Sequence, residues 1–317
     1  MKQVKSYELP EHLQSTFNSA KKTEWITIIY LFTVVILMYV VMGSSQAMKT
    51  AWLEDALGLI PAISFLVASR YYNKAPNRHF PYGYHRVYNI AFLCGALALF
   101  TMGCFLVITS IQALLKTEHP SIGSIKIFGE QIWLGWIMIL VLLYSSIPAI
   151  ILGRKKLPMA TKLHNKILYT DATTQKADYM TAFAAIAGVI GIGFGLWWAD
   201  ATAALFISFS VLKDGISNLK TAVLDLLNRR PVKVKDNNKD EIIDHLEYMV
   251  KSWQWVEDAK IRLREEGQVY CGEIKVIAKD ENNLVDKIEK SLEDIYELNW
   301  KLHDITIMPV KSLRDQI

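Results

Sequence analysis

Residues 24–43, 48–69, 88–114, 130–152, 174–197 and 201–223 form six apolar stretches separated by short polar connections. Each is close to the ~20 residues an α-helix needs to cross ~30 Å of hydrocarbon. Together they imply an α-helical membrane protein, because the backbone can satisfy its own hydrogen bonds in lipid as a helix. An even number of spans places both ends of this region on one side. The connection 70–87 carries Arg70, Lys74, Arg78 and Arg86, and 153–170 carries Arg154, Lys155, Lys156, Lys162 and Lys166, whereas the opposite connections hold Lys49, Lys116 and Lys126. By the positive-inside rule both termini are expected in the cytoplasm.

About twenty polar residues precede the first apolar stretch, a pattern unlike a short basic leader, so a retained first helix is expected. The net charge of +4 is accounted for by the basic connections and offers no argument for nucleic acid. The three cysteines, Cys94, Cys104 and Cys271, have no paired metal-ligand spacing. The reading divides the chain into a cytoplasmic N-terminal segment 1–22, a six-helix transmembrane region 23–225, a linker 226–238 and a cytoplasmic α+β domain 239–317. In that last domain the pattern reads helix 239–251, strand 255–264, strand 268–278, helix 283–297 and strand 302–309, with "EEGQ" at 265–268 as the hairpin turn. So small a domain has a marginal core, which makes a homodimer the expected assembly.

Ionisable residues inside spans are costly and mark candidate sites. The second span offers Glu54 and Asp55, followed by Gly58 and Pro61, where a missing backbone donor allows bending. In "DATTQKAD" (171–178), Asp171, Thr174 or Gln175, and Asp178 share one helical face. Seven residues span about 10 Å of helix, too far for one ion to be gripped by both acids. Asp178 is therefore the expected deeper metal ligand and Asp171 an entrance acid, or one that supports the ligands from behind, on the cytoplasmic side. Two structural readings stand beside these: Lys176 neutralising Asp178, and Glu54 turned to lumenal water or Lys49. Asp200, in "WWADATAA", is expected as the N-cap of the last span, and Asp214 as a charge partner near that span's cytoplasmic end.

In order and spacing these features resemble the cation diffusion facilitator (cation efflux) family. The segments that carry the likeness are "HFPYGYHRVYNIA" (79–91) and "WWADATAALFISFSVLKDGISNLKTAVLDLLNRRP" (197–231), together with the acids of the second and fifth spans and the αββαβ tail, which is like a metallochaperone. The resemblance implies metal efflux by alternating access in a homodimer, with a divalent cation exchanged for protons, no permanently bound cofactor, and membrane lipid as surroundings. A bacterial inner membrane is the expected location.

Relatives commonly place an Asp four residues after a His or Asp in both spans. Here Asp178 matches the second position with Thr174 at the first, and Asp55 is preceded at that spacing by Ala51. An oxygen-only set from Asp55 and Asp178, completed by Thr174, Gln175, Glu54 or water, leans toward Mn²⁺, Fe²⁺ or Mg²⁺ over Zn²⁺. The resemblance also pairs Arg86 with an acid at the base of the sixth span, where this chain has Asn228 and, nearby, Asp225. The resemblance also makes His245, Cys271, His303 and Asp304 of the tail candidates for regulatory metal, beside the plainer expectation of His245 as a surface helical residue, Cys271 as strand core, and His303 and Asp304 as a solvated strand start. The alternatives are a membrane-embedded aspartyl hydrolase and a non-transporting receptor; neither H-E-x-x-H nor G-x-S-x-G occurs.

Overall fold

The structure, a computed structural model, describes residues 9–72, 74–116, 122–127, 130–235 and 238–313. Parts of the N-terminal segment, the linker and the end of the tail therefore lie outside the described residues. Within them, six long helices come first: α1 (Glu11–Val41), α2 (Gln46–Tyr72), α3 (Val87–Leu115), α4 (Leu134–Lys162), α5 (Lys166–Gly193) and α6 (Trp197–Leu226). The first four are long and apolar enough to cross a membrane. Their outward faces are apolar, as Ile29, Phe32, Ile36 and Val40 of α1 show. This is the surface of a helix bathed in hydrocarbon rather than water.

Several boundaries differ from the sequence reading: α4 runs on to Lys162 and α5 already begins at Lys166, both beyond the expected spans. α1 begins at Glu11, because Leu13, Phe17 and Ala20, at helical spacing, bury against Phe65, Tyr88 and Met159. Residues 130–133, expected to open the fourth span, instead form β2 (Glu130–Trp133), which pairs antiparallel with β1 (Ser124–Ile127). α2 continues through Pro61, and α4 through Pro148 and Pro158.

The helices approach closely where side chains vanish. A Cβ on Gly103 of α3 would stand 2.6 Å from the Leu212 Cα of α6, and one on Gly215 of α6 2.7 Å from the Phe100 Cα of α3. Small residues at such crossings let backbones pack tightly where lipid gives no hydrophobic drive.

The bundle interior is divided. One apolar cluster holds Val34, Met38, Met48, Leu142, Ala182 and Val189; a second holds Phe17, Phe65, Tyr88, Met159 and Leu168. Between them along α1, α2, α4 and α5 run buried polar residues: Glu24, Glu54, Asp55, Ser145, Lys156, Asp171, Gln175 and Asp178.

After α6 come α7 (Ile242–Ser252), β3 (Val256–Glu266), β4 (Val269–Ala278), α8 (Leu284–Leu298) and β5 (Leu302–Pro309). β4 is central, antiparallel to β3 and parallel to β5. Both helices share one apolar cluster with the sheet, including Ile243, Leu246, Ile274 and Ile295. The β3–β4 turn is Gly267–Gln268, with Gly267 in the left-handed region at φ +68°. Its tip docks on the helix ends. The Gly267 N–H donates to Asn89 Oδ1 at 2.6 Å, and Gln268 Nε2 donates to the Leu163 carbonyl at 2.7 Å. Lys166 Nζ lies 2.8 Å from Asp225 and 2.9 Å from Glu265. The α2–α3 and α4–α5 connections therefore share the side of the β3–β4 domain.

Candidate metal site

On α5, residues 171, 175 and 178 fall at i, i+4 and i+7, so one face carries Asp171, Gln175 and Asp178 inward, and all three are buried. Thr174 sits one position off this face and is half-buried. From α2, Glu54 and Asp55 are both buried, each less than 5% exposed. Asp178 interacts electrostatically with Glu54 and Asp55, which places these three acids around one region of the bundle. Glu54 thus turns inward rather than to lumenal water, and Lys176 is exposed.

The polar valences here are unusual. Both carboxylate oxygens of Asp178, Oε2 of Glu54, and both Oε1 and Nε2 of Gln175 are buried without a hydrogen-bond partner. An unsatisfied buried polar atom costs about 1–3 kcal/mol and more when charged, so these atoms are candidates to meet a cation or a proton. Asp55 receives a long hydrogen bond, 3.4 Å, from Ser145 Oγ of α4, and the Tyr30 hydroxyl of α1 donates to the Ser145 carbonyl. Tyr30 also interacts electrostatically with Asp55 and Asp178. Four helices thus surround the acids. Among the described residues, no group of three or more His, Cys, Asp or Glu is arranged to hold a metal ion as it stands.

Asp171 is placed differently from an open entrance acid. It is 1% exposed and forms an ion pair with Lys156 of α4, whose Nζ also lies 3.0 Å from Glu24 Oε2 of α1. Sequence reasoning assigned Lys156 to a basic connection and passed over Glu24. α4 runs on to Lys162, however, and Ser145, Ala149, Leu152 and Lys156 share its buried face while Arg154 and Lys155 point out. That helical spacing was the available signal.

Asp200 does not cap its own helix. It lies in the first turn of α6, fully buried, and accepts hydrogen bonds from Ser45 Oγ (2.6 Å), the Gln46 N–H (2.6 Å) and the Ala47 N–H (3.3 Å). It therefore serves the N-terminus of α2, where free backbone donors and the helix dipole favour an anion. Asp214 is exposed on α6 yet interacts electrostatically with Glu54.

At the helix ends, Arg86 Nη2 donates to Asn228 Oδ1 and to Glu266 Oε1, each at 3.0 Å. The acid expected from the sixth span is supplied by the β3–β4 tip, and Asp225 pairs instead with Lys166 and Arg229. In the tail, His245 is exposed on α7. Cys271 is a buried strand residue whose thiol burial pushes up to about 12. His303 is not a solvated strand start. Its ring packs 4.9 Å from that of His85 in the α2–α3 connection, and burial, with His303 alongside, pushes His85 down to about 4.

The long apolar helices are those of an integral membrane protein. The chain belongs to the cation efflux family: residues 25–227 match the cation efflux transmembrane domain. It is similar to an uncharacterized transporter of Methanocaldococcus jannaschii, 25% identical over 194 residues covering 60% of this chain and 63% of that one. It is also similar to the manganese efflux system protein MneS of Bacillus subtilis, 20% identical over 169 residues covering 53% and 54% of the two chains. The chain thus spans less than two thirds of either relative's length.

Proposed function

We propose that this protein exports a divalent cation, with Mn²⁺ as the first candidate, in exchange for protons. The observation that carries the reading is the Asp178 carboxylate. Both its oxygens are buried without a hydrogen-bond partner, and it interacts electrostatically with Glu54 and Asp55 of a neighbouring helix. A divalent cation supplies the positive charge these acids lack, and protons can do so in its place, so one set of groups can carry either. Asp55 and Asp178 act as the principal ligands, with Glu54, Gln175 and water completing the set as the helices close on the ion; Thr174 lies at the margin. Oxygen donors suit Mn²⁺ better than they suit Zn²⁺, and the likeness to a manganese efflux protein supports the same choice.

All six long helices act as spans, with both termini and the αββαβ domain, residues 239–317, on the cytoplasmic side. Support comes from the basic connections that touch this domain through Arg86 and Lys166. The working unit is a homodimer that alternates access, in a bacterial inner membrane. The test is Mn²⁺ flux into proteoliposomes with an imposed pH gradient, compared with Asp55→Asn and Asp178→Asn. Flux that needs both acids supports the reading, and flux indifferent to them removes it.

A further inference from the structure

On the side of Asp178 nearer the soluble domain, three helices contribute one charge each to a common point: Glu24 from α1, Lys156 from α4 and Asp171 from α5. Glu24 and Lys156 are fully buried and Asp171 nearly so. Lys156 Nζ sits 3.0 Å from Glu24 Oε2 and is also hydrogen-bonded to Asp171 Oδ2, while Glu24 Oε1 remains buried with no partner. Two carboxyl groups share one ammonium, and the second oxygen of Glu24 is left buried without a partner. That is an unfinished coordination shell, with a primary ammonium as its present cation.

We propose that Glu24 and Asp171 form a second cation position, distinct from the Asp178 site, which Lys156 fills from within the chain as a tethered cation. An ammonium delivers a single charge and three hydrogen-bond donors, enough for one oxygen of each acid but short of what a divalent ion would offer both carboxylates. Lys156 thereby keeps Asp171 and Glu24 from binding a second ion. For transport, which rests on the efflux reading above, an ion passing between this side and Asp178 must get past a charge of its own sign, and the lysine has to swing aside.

The test measures Mn²⁺ bound per protomer by equilibrium dialysis and elemental analysis, on full-length protein in lipid nanodiscs. Wild type is compared with Lys156→Gln, Lys156→Gln/Asp171→Asn, Lys156→Arg and Asp178→Asn. Lys156→Gln is expected to bind one more Mn²⁺ than wild type, and Lys156→Gln/Asp171→Asn and Lys156→Arg no more than wild type. A Lys156→Gln protein with wild-type stoichiometry overturns the proposal. Where Lys156→Gln fails to fold without metal, recovery of monodisperse protein is scored against added Mn²⁺: recovery that rises for the single variant but not for the double one supports the proposal, and indifference to Mn²⁺ overturns it. Asp178→Asn reports on the other site separately, so loss of the efflux reading leaves this outcome legible.

Discussion

Arg86, in the turn that opens α3, reaches Glu266 at the tip of the β3–β4 hairpin across 3.0 Å, and so ties the helix bundle to the soluble domain. Glu266 is largely buried while Arg86 is about half exposed, so solvent screening limits what the pair contributes. Glu266→Gln is expected to cost about 1 kcal/mol and to raise hydrogen exchange in the 265–268 turn and at the start of α3 together. Faster exchange in the turn alone would mean that the pair does not couple the two parts.

Gly267 gives a sharper handle on the same junction. Its φ of +68° is left-handed, and a Cβ there would lie 2.4 Å from the His85 carbonyl oxygen. Gly267→Ala should cost about 1–2 kcal/mol for the backbone alone, with the clash in addition. Proteolysis within 228–241 should quicken, because the hairpin can no longer seat.

Asp240 predicts an acid limit for this junction. Burial opposes its ionisation, but hydrogen bonds from Lys301 Nζ and the Tyr270 hydroxyl outweigh that and hold it down to about 2. A carboxylate depressed in the folded state stabilises above its unfolded value near 4, and that stability is lost as pH falls toward the folded value. Thermal stability of the soluble domain should therefore drop between about pH 4 and about pH 2. Asp240→Asn should flatten this part of the profile.

Asp200→Ala removes an acceptor from the start of α2 and leaves two backbone donors and the Ser45 hydroxyl short of partners. The expected loss is about 1–2 kcal/mol, read as a lower melting temperature in detergent. Asp200→Asn keeps an acceptor oxygen and should lose less.

What could be read from the chain follows from how far each signal reaches. Long apolar runs and the pattern of 255–309 are local, and they located the middles of the helices and strands, whereas several helix ends, at Glu11, Lys162 and Lys166, lie well outside the apolar runs. The early start of α1 was missed because Leu13, Phe17 and Ala20 are spaced too sparsely to register as an apolar block, and β1 and β2 are too short to stand out. Partnerships across the fold were the harder part. Lys156 looked like one more cation in "GRKK" until helix phase turned it inward. Asp200 serves a helix more than 150 residues away, and Arg86 finds its acid in another part of the chain. The inward face of α5 was legible because i, i+4 and i+7 leave little freedom, whereas choosing Gln175 over Thr174 needed the neighbouring helices.

The most direct measurement of the central claim is Mn²⁺-driven proton movement in proteoliposomes, followed by an internal pH dye, for wild type and Asp178→Asn reconstituted at equal density. Asn keeps nearly the side-chain shape but can neither offset a divalent charge nor release a proton. Wild type should show a pH change that scales with the Mn²⁺ gradient, and Asp178→Asn should fall to the level of protein-free vesicles while keeping its wild-type elution profile. A folded Asp178→Asn that moves Mn²⁺ and protons at the wild-type rate would contradict the account.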